Sequence, residues 1–182
     1  MATSLREAIH DLHHVAENTR FTKLLLSGSI TPQAYSIFLQ NLHPIYSQLE
    51  DHLIQNGFLK DLFSIQRAEL IRHDIKQLSV FQDPVSLLKT TDLYLDHIYY
   101  IAKHNPRLLL AHLYIRHFGD MYGGQMIKKV VPGSGTMYEF ENKKELIEKV
   151  RAMLTLDLAD EANVAMQFAI DLFEEIANEL HL

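Results

Sequence analysis

The chain has 182 residues, a formal net charge of −6 and no cysteine. This length predicts one domain, residues 1–182, that can bury a core without cross-links. The missing cysteines exclude disulfides, thiolate-bound metals and a cysteine nucleophile, and the acidic balance argues against nucleic-acid binding. No run of about 18 apolar residues is present to cross a membrane. We therefore expect a soluble, cytoplasmic protein.

Helical periodicity dominates the sequence, and strand-like alternation is scarce. We predict an all-α, single-domain bundle without linkers or repeats, and no βαβ nucleotide-binding fold. Most predicted helices open on a capping residue or a proline. The predicted starts are Ser4 with Glu7, Thr31 with Pro32 (with Pro44 inside this helix and its end at Asn56–Gly57), about Arg67, Asp83–Pro84, Asn105–Pro106, Asn142 with Glu145, and about Ala159.

The helix that follows Asn105–Pro106 contains three of the seven glycines, Gly119, Gly123 and Gly124. Three interior glycines cost a helix about 3 kcal/mol relative to alanine. Helix packing accounts for one such glycine, whereas the cluster indicates that something approaches the backbone closely, without identifying it; glycines would allow a flat object to lie on the backbone and the helix to bend around it. From the residues alone, Asp120 has two open interpretations: an i,i+4 pair with Arg116, or a carboxylate that holds water for proton delivery.

Eleven histidines favour a metal or haem site. Three of them, His10, His13 and His14, lie on the first predicted helix, where His13 borders the inward apolar stripe. A core histidine and a ligand are both open interpretations of His13, and Arg6 adds a cation nearby. Glu7 and His10 form one E-x-x-H step of a di-iron site, but that site needs two such steps and two further glutamates.

Two segments, "LREAIHDLHHVAENTRF" and "AHLYIRHFGDMYGGQMIKK", resemble the first and distal helices of the biliverdin-forming haem oxygenases, whose distal signature is Gly-Asp-x-x-Gly-Gly-Gln. "FAIDLFEEI" resembles the last helix of that family, and the likeness extends from about residue 4 to 178. The resemblance implies a helical bundle that holds haem between a proximal first helix and a glycine-kinked distal helix. It also implies an enzyme that cleaves haem b to biliverdin IXα, carbon monoxide and Fe²⁺, using O₂ and external electrons. In this family a ferric hydroperoxide hydroxylates the porphyrin meso carbon.

Carried over to this chain, the resemblance makes His13 the haem iron ligand, with His14 as the alternative if the helix is rotated by one residue. It assigns the distal chemistry to four residues and haem binding to a larger set. The catalytic residues implied are Asp120, Arg116, Tyr46 and Glu50. The haem-binding residues implied, besides His13, are Arg6, His10, Glu17, Tyr114, Gly119, Gly123, Gly124, Lys149 and Arg151.

The chain departs from the family pattern at several positions. His10 stands where a lysine is common, which makes propionate anchoring weaker or pH-sensitive. Tyr122 stands where a small serine is usual, and it alters distal packing or adds a hydroxyl. The segment between Arg151 and Glu161 is shorter than usual, so the Lys149 and Arg151 assignments are provisional.

The resemblance also implies partners. No flavin or nicotinamide motif is present, so electrons are expected from a ferredoxin or a flavin reductase, docking near Lys128 and Lys129. The same two lysines also fit a solvated helix end. A monomer without a membrane anchor after Leu182 is expected. The alternative functions are a non-catalytic haem carrier or sensor and, on a related helical architecture, a di-iron oxidase.

Overall fold

The computed structural model describes residues 3–80 and 84–182. Over these residues it contains α-helices and short 3₁₀ turns and no strand, so the predicted all-α fold is confirmed. None of the helices in the described ranges combines the length and hydrophobicity that a membrane span requires. The helices are α1 (Leu5–Ala8), α2 (His10–Glu17), α3 (Arg20–Ser27), α4 (Pro32–Gln55), α5 (Ala68–Leu78), α6 (Lys89–His104), α7 (Leu109–Tyr122), α8 (Gly124–Ile127), α9 (Lys143–Met153) and α10 (Ala159–Glu179).

The long helix α4 begins and ends as its sequence predicts. The Thr31 hydroxyl accepts a hydrogen bond from the Ala34 N–H at 3.2 Å, and Pro32 occupies the first turn, where its missing N–H has no helical partner to lose. After the helix, Gly57 has a left-handed φ of 78°, a conformation that glycine adopts without strain. One side of α4 is buried against α5, α6 and α7, which makes it a central support of the bundle.

The amino-terminal helix differs from the prediction because it is divided at Ile9 into α1 and α2. The Ser4 hydroxyl accepts from the Glu7 N–H at 3.3 Å, as predicted. The reciprocal bond of a capping box is replaced, since the Glu7 carboxylate accepts from the Thr3 N–H at 2.7 Å. Helix α3, which Thr19 caps through the Thr22 N–H, was not predicted.

Of two other predicted helix starts, one has a different geometry from the predicted cap and one lies outside the described residues. Asn142 precedes α9, but its φ of 52° is left-handed and its side chain makes no capping bond, so the predicted cap with Glu145 is wrong. The start predicted at Asp83 lies outside the described residues, and α6 begins at Lys89.

Helix α10 positions the two segments that carry the sequence motifs. Both α2 and α7 pack against α10, but they do not pack extensively against each other within the described ranges. Asn163 of α10 also donates to the Ala8 carbonyl oxygen at 3.2 Å, which holds the amino-terminal segment in place. Helices α2 and α7 therefore share α10 as a common support. Helix α7 ends at Tyr122, and after Gly123 the chain continues as the short helix α8.

Candidate active site

The distal wall is open at Gly119. This residue is exposed, and a Cβ atom built on it would meet no heavy atom within 4 Å. The next residue, Asp120, accepts a hydrogen bond from the Tyr46 hydroxyl to its Oδ2 atom at 2.6 Å. Tyr46 is buried on α4, so its hydroxyl fixes the carboxylate at the edge of bare backbone. The sequence-predicted residues Gly119, Asp120 and Tyr46 are therefore brought together.

The electrostatic surroundings of Asp120 favour its neutral form more than water does. Burial raises the pKa of the Asp120 carboxyl to about 6, although the hydrogen bond from Tyr46 and the charge of Arg116 act to lower it. No ion pair between Arg116 and Asp120 is found among the described residues, so the simple i,i+4 pair is not formed. The Arg116 guanidinium instead lies over the Tyr94 ring, 4.9 Å from its centroid, and its Nε and Nη2 atoms are buried without a hydrogen-bond partner.

Glu50 lies behind this wall and joins three helices. Its Oε1 atom accepts from the His117 Nε2 atom at 3.0 Å and from the Arg67 N–H at 2.6 Å. Its Oε2 atom accepts from the Ala68 N–H at 3.1 Å, at the start of α5. A carboxylate at a helix start is stabilised by the unpaired N–H groups there. These contacts give Glu50 a positioning role, which differs from the catalytic role predicted for it.

His117 was missed in the sequence, although it directly follows Arg116 and lies three residues before Asp120. Its ring is buried and tilted against Tyr46 with centroids 5.1 Å apart. Because Nε2 contacts a carboxylate, we assign the proton to Nε2, which leaves Nδ1 as a buried acceptor without a partner. Such atoms in native proteins are usually satisfied by ordered water.

His13 is the candidate iron ligand, and among the described residues one of its two ring nitrogens contacts another side chain. Its Nδ1 atom lies 3.5 Å from Glu17 Oε1, and within the described ranges Nε2 has no partner. The side chain is 53% exposed on the α2 wall. His14 differs, because its Nδ1 atom lies 3.5 Å from the Asn18 amide nitrogen. Metal-bound histidines commonly have a carboxylate behind the other ring nitrogen, and only His13 of these two shows that arrangement.

Two arginine side chains, those of Arg6 and Arg151, act electrostatically on Tyr114 of α7. Burial raises the pKa of the Tyr114 hydroxyl, and the charges of Arg151 and Arg6 oppose this rise, so both guanidinium groups act on the same side chain. The Arg151 Nη2 atom donates to the Tyr122 hydroxyl at 3.1 Å. Tyr122, which stands where a serine is usual in the family pattern, thus supplies a hydroxyl that holds Arg151. Guanidinium groups such as those of Arg6 and Arg151 suit a ligand that carries carboxylates.

Two predicted anchors have other partners. The Lys149 ammonium contacts the Glu145 carboxylate at 2.7 Å and the Asp61 carbonyl oxygen at 3.4 Å, away from the Arg151 side of α9. The His10 Nδ1 atom contacts the Asp11 carboxylate at 3.1 Å, and its side chain is 79% exposed. Lys149 is therefore not brought to the rim.

The structure shows why a glycine is needed at position 124, and the cause is a neighbouring side chain of the protein. A Cβ atom on Gly124 would lie 2.4 Å from Cδ1 of Tyr138, so the missing side chain makes room for that ring. A Cβ atom on Gly123 would lie 3.2 Å from the Gly119 carbonyl oxygen, which is tight but within its own helix end. Of the three glycines, Gly119 alone has open space at its Cβ position.

Taken residue by residue, the site fits a haem. It offers an imidazole nitrogen on α2 without a partner among the described residues, a side-chain-free patch on α7, the guanidinium groups of Arg6 and Arg151, and buried polar atoms of Arg116 and His117 that lack partners. The di-iron alternative is not supported by Glu7 and His10, since among the described residues the group of potential metal ligands that converges is His97, His112 and Glu161.

Comparison with known proteins gives a consistent answer. A family model described as "Heme oxygenase" matches residues 1–175. Proteins named heme oxygenase from Rhodella violacea and Porphyra purpurea are each 30% identical to this chain; they cover 97% and 99% of it, and 86% and 88% of their own lengths. The crystal structure of heme oxygenase-1 from the cyanobacterium Synechocystis sp. PCC6803 in complex with heme is 25% identical, with a TM-score of 0.82 over 97% of this chain and 92% of that chain. The structure of heme oxygenase from Leptospira interrogans, 24% identical, has the same fold, with a TM-score of 0.83 over 94% and 97% of the two chains.

The different surroundings of the glycines predict different responses to substitution. Gly124→Ala should lower the free energy of unfolding by about 1–3 kcal/mol, because the new methyl group overlaps the Tyr138 ring. Gly119→Ala should leave it unchanged or raise it by up to about 1 kcal/mol through better helix propensity. Chemical denaturation of the haem-free variants measures both values. Equal destabilisation by the two substitutions would contradict this assignment.

The raised pKa of Asp120 predicts a pH-dependent stability difference. Below about pH 4 the carboxyl is protonated in both states, and above about pH 6 it is ionised in both, so the folded state bears the burial cost only at the higher pH. The haem-free parent should therefore lose about 2–3 kcal/mol relative to Asp120→Asn as pH rises from about 4 to 7. Denaturation series across this range test it, with the exposed Asp96→Asn as the control. A change of the same size for both variants would refute the assignment to Asp120.

Proposed function

The chain belongs to the haem oxygenase family and is an enzyme that degrades haem, and from this premise we propose that α2 and the open face of α7 hold haem b as its substrate. When bound, haem supplies the iron at which O₂ is reduced and the ring that is opened. The products are biliverdin, with cleavage at the α-meso position, carbon monoxide and Fe²⁺. The observation that carries the proposal is the bare backbone at Gly119 beside the Tyr46–Asp120 pair.

On the proximal side, His13 would hold the iron through its Nε2 atom. Glu17 stabilises this role, since a carboxylate near Nδ1 favours a proton on that nitrogen and leaves Nε2 as the donor atom. A neutral imidazole lacks the strong electron donation by which a thiolate ligand promotes O–O cleavage. This ligand therefore suits chemistry in which the ring edge, and not an external substrate, is oxidised.

At the rim, Arg6 and Arg151 would hold the haem propionates. The charges of both act on Tyr114, and Tyr122 holds Arg151 by a hydrogen bond, so Arg151 is partly ordered before substrate arrives. Pre-ordered cations reduce the entropy lost on binding. His10 adds an exposed ring near Arg6 that pairs with propionate in its protonated form. These residues would orient the substrate within the slot and so influence the position at which its ring is cleaved.

On the distal side, Gly119 limits the slot sterically and Asp120 holds water. The pKa of Asp120 near 6 lets the carboxyl gain and lose a proton close to neutral pH, which suits proton transfer through adjacent water. The unpartnered Nε and Nη2 atoms of Arg116 and Nδ1 atom of His117 supply further donors and an acceptor for such waters. Glu50 positions His117 and, through α4, Tyr46.

The electrons come from a separate protein, for which we propose a ferredoxin or a flavin reductase. Lys128 forms an ion pair with Glu139, whereas Lys129 is exposed, so docking of an acidic partner near α8 draws mainly on Lys129. A cytoplasmic location and a monomeric state belong to the same proposal; the reducing cytoplasm suits a chain without cysteine.

A carrier or sensor that binds haem without cleaving it is the second candidate. The Tyr46–Asp120 hydrogen bond argues for the enzyme, because a carrier needs the slot and the imidazole but no fixed carboxylate at the distal face. The two candidates differ in one observable, since only the enzyme converts its own haem to a bile pigment in air.

Aerobic turnover of the haem-loaded protein with a reductant tests the proposal. The parent should lose its haem absorption and form biliverdin. Asp120→Asn should bind haem fully but form biliverdin at least about 10²-fold more slowly, a loss typical of removing a proton-transfer group. Tyr46→Phe should fall between them, because Asp120 remains but is no longer held at 2.6 Å.

Tyr99→Phe is the matched control, since Tyr99 is exposed on α6 away from the slot. Its turnover should equal that of the parent. Haem binding by the parent without any pigment would support the carrier. Normal pigment yield from Asp120→Asn would remove Asp120 from the mechanism while leaving the enzyme assignment intact.

A further inference from the structure

A second group of polar side chains lies outside the haem slot, where α6, α7 and α10 meet. His97 Nε2 lies 2.5 Å from Oε1 of Glu161, and His112 Nε2 lies 2.8 Å from the same oxygen. All three ligand atoms are within 4.8 Å of one another. Each side chain comes from a different helix, so the group forms only in the folded chain.

We propose that His97, His112 and Glu161 form a binding site for a divalent first-row transition-metal ion of the Zn²⁺ type. Two imidazoles and one carboxylate are a ligand set that such ions bind, leaving further positions open for water. Mg²⁺ and Ca²⁺ prefer oxygen ligands and are not expected here.

Binding of an ion would require only a small shift of the ligand atoms from their present positions. A tetrahedral ion with bonds of about 2.0–2.2 Å needs its ligand atoms roughly 3.3–3.5 Å apart. The two His–Glu contacts are shorter than this, at 2.5 and 2.8 Å, because they are now hydrogen bonds. Separating the atoms by up to about 1 Å makes room for the ion, and a longer side chain such as Glu161 can supply that movement by rotation.

The surroundings prepare His112 to be a ligand. Its Nδ1 atom lies 2.8 Å from the Tyr94 hydroxyl. A hydroxyl both donates and accepts, so when Nε2 gives up its proton to bind a metal, Nδ1–H can donate to Tyr94. The Tyr94 ring stacks on Phe168 with centroids 4.4 Å apart and planes within 4° of parallel, which fixes the hydroxyl.

The site is also accessible from solvent. His112 is fully buried, but the side chains of His97 and Glu161 are 26% and 12% exposed. An ion can therefore enter past His97 without opening the core. A bound ion would strengthen the connection among three helices that packing and these hydrogen bonds already hold together, including the helix that carries Asp120.

Zinc binding to the haem-loaded and the haem-free protein tests this inference. Equilibrium dialysis against chelator-buffered Zn²⁺, followed by metal analysis, should give one tight Zn²⁺ per chain in both forms and a higher thermal midpoint with Zn²⁺. His97→Gln and Glu161→Gln should each weaken this binding at least about tenfold, since a neutral amide is a poor ligand. His104→Gln, exposed on the same helix, should bind as the parent does.

Either of two other outcomes would contradict the proposed metal site. Equal affinity in His97→Gln and the parent places the ion elsewhere, such as on the histidines of α2, and no binding by the parent shows that the three residues form only a hydrogen-bonded cluster. Circular dichroism of His97→Gln shows whether the variant is folded. Because the ligands do not include a residue of the haem slot, loss of zinc binding is distinguishable from failure of haem turnover.

Discussion

The hydrogen bond from the Tyr46 hydroxyl to the Asp120 carboxylate joins the central helix α4 to the open face of α7. It fixes a carboxyl group with a pKa near 6 beside backbone that carries no side chain at Gly119. Both features are costly to stability, since an interior glycine weakens the helix and a buried carboxyl resists ionisation. Their occurrence at one place is expected of a site that must admit a flat substrate and move protons next to it.

The polar groups behind Asp120 hold this geometry more than they take part in chemistry. Glu50 bonds His117 and the first N–H groups of α5, so a single buried carboxylate links α4, α5 and α7. Fully satisfied buried networks define a unique packing, whereas unpartnered members indicate water. In this network the unpartnered atoms belong to Arg116 and His117, which precede Asp120 on α7.

The sequence predicted the features that depend on local chemistry. The start of α4 at Thr31–Pro32 and the opening at Gly119 follow from capping and from glycine, and both occur in the structure. Contacts between residues that are distant in the sequence could not be predicted: a Cβ atom on Gly124 would overlap the Tyr138 ring, and Glu50 bonds three residues that are remote from it in the sequence. The assignment of Lys149 alongside Arg151 could have been avoided, because residues two apart on a helix point to opposite sides.

The identity of the axial ligand tests the central claim most directly, since the whole site requires an imidazole opposite the open face of α7. The measurement is the resonance Raman or paramagnetic resonance spectrum of the haem complexes of His13→Ala and His14→Ala. The account predicts that His13→Ala loses the axial nitrogen supplied by the protein and regains one from added imidazole, while His14→Ala keeps the parent spectrum. An unchanged axial nitrogen in His13→Ala, or its loss in His14→Ala, would contradict the account.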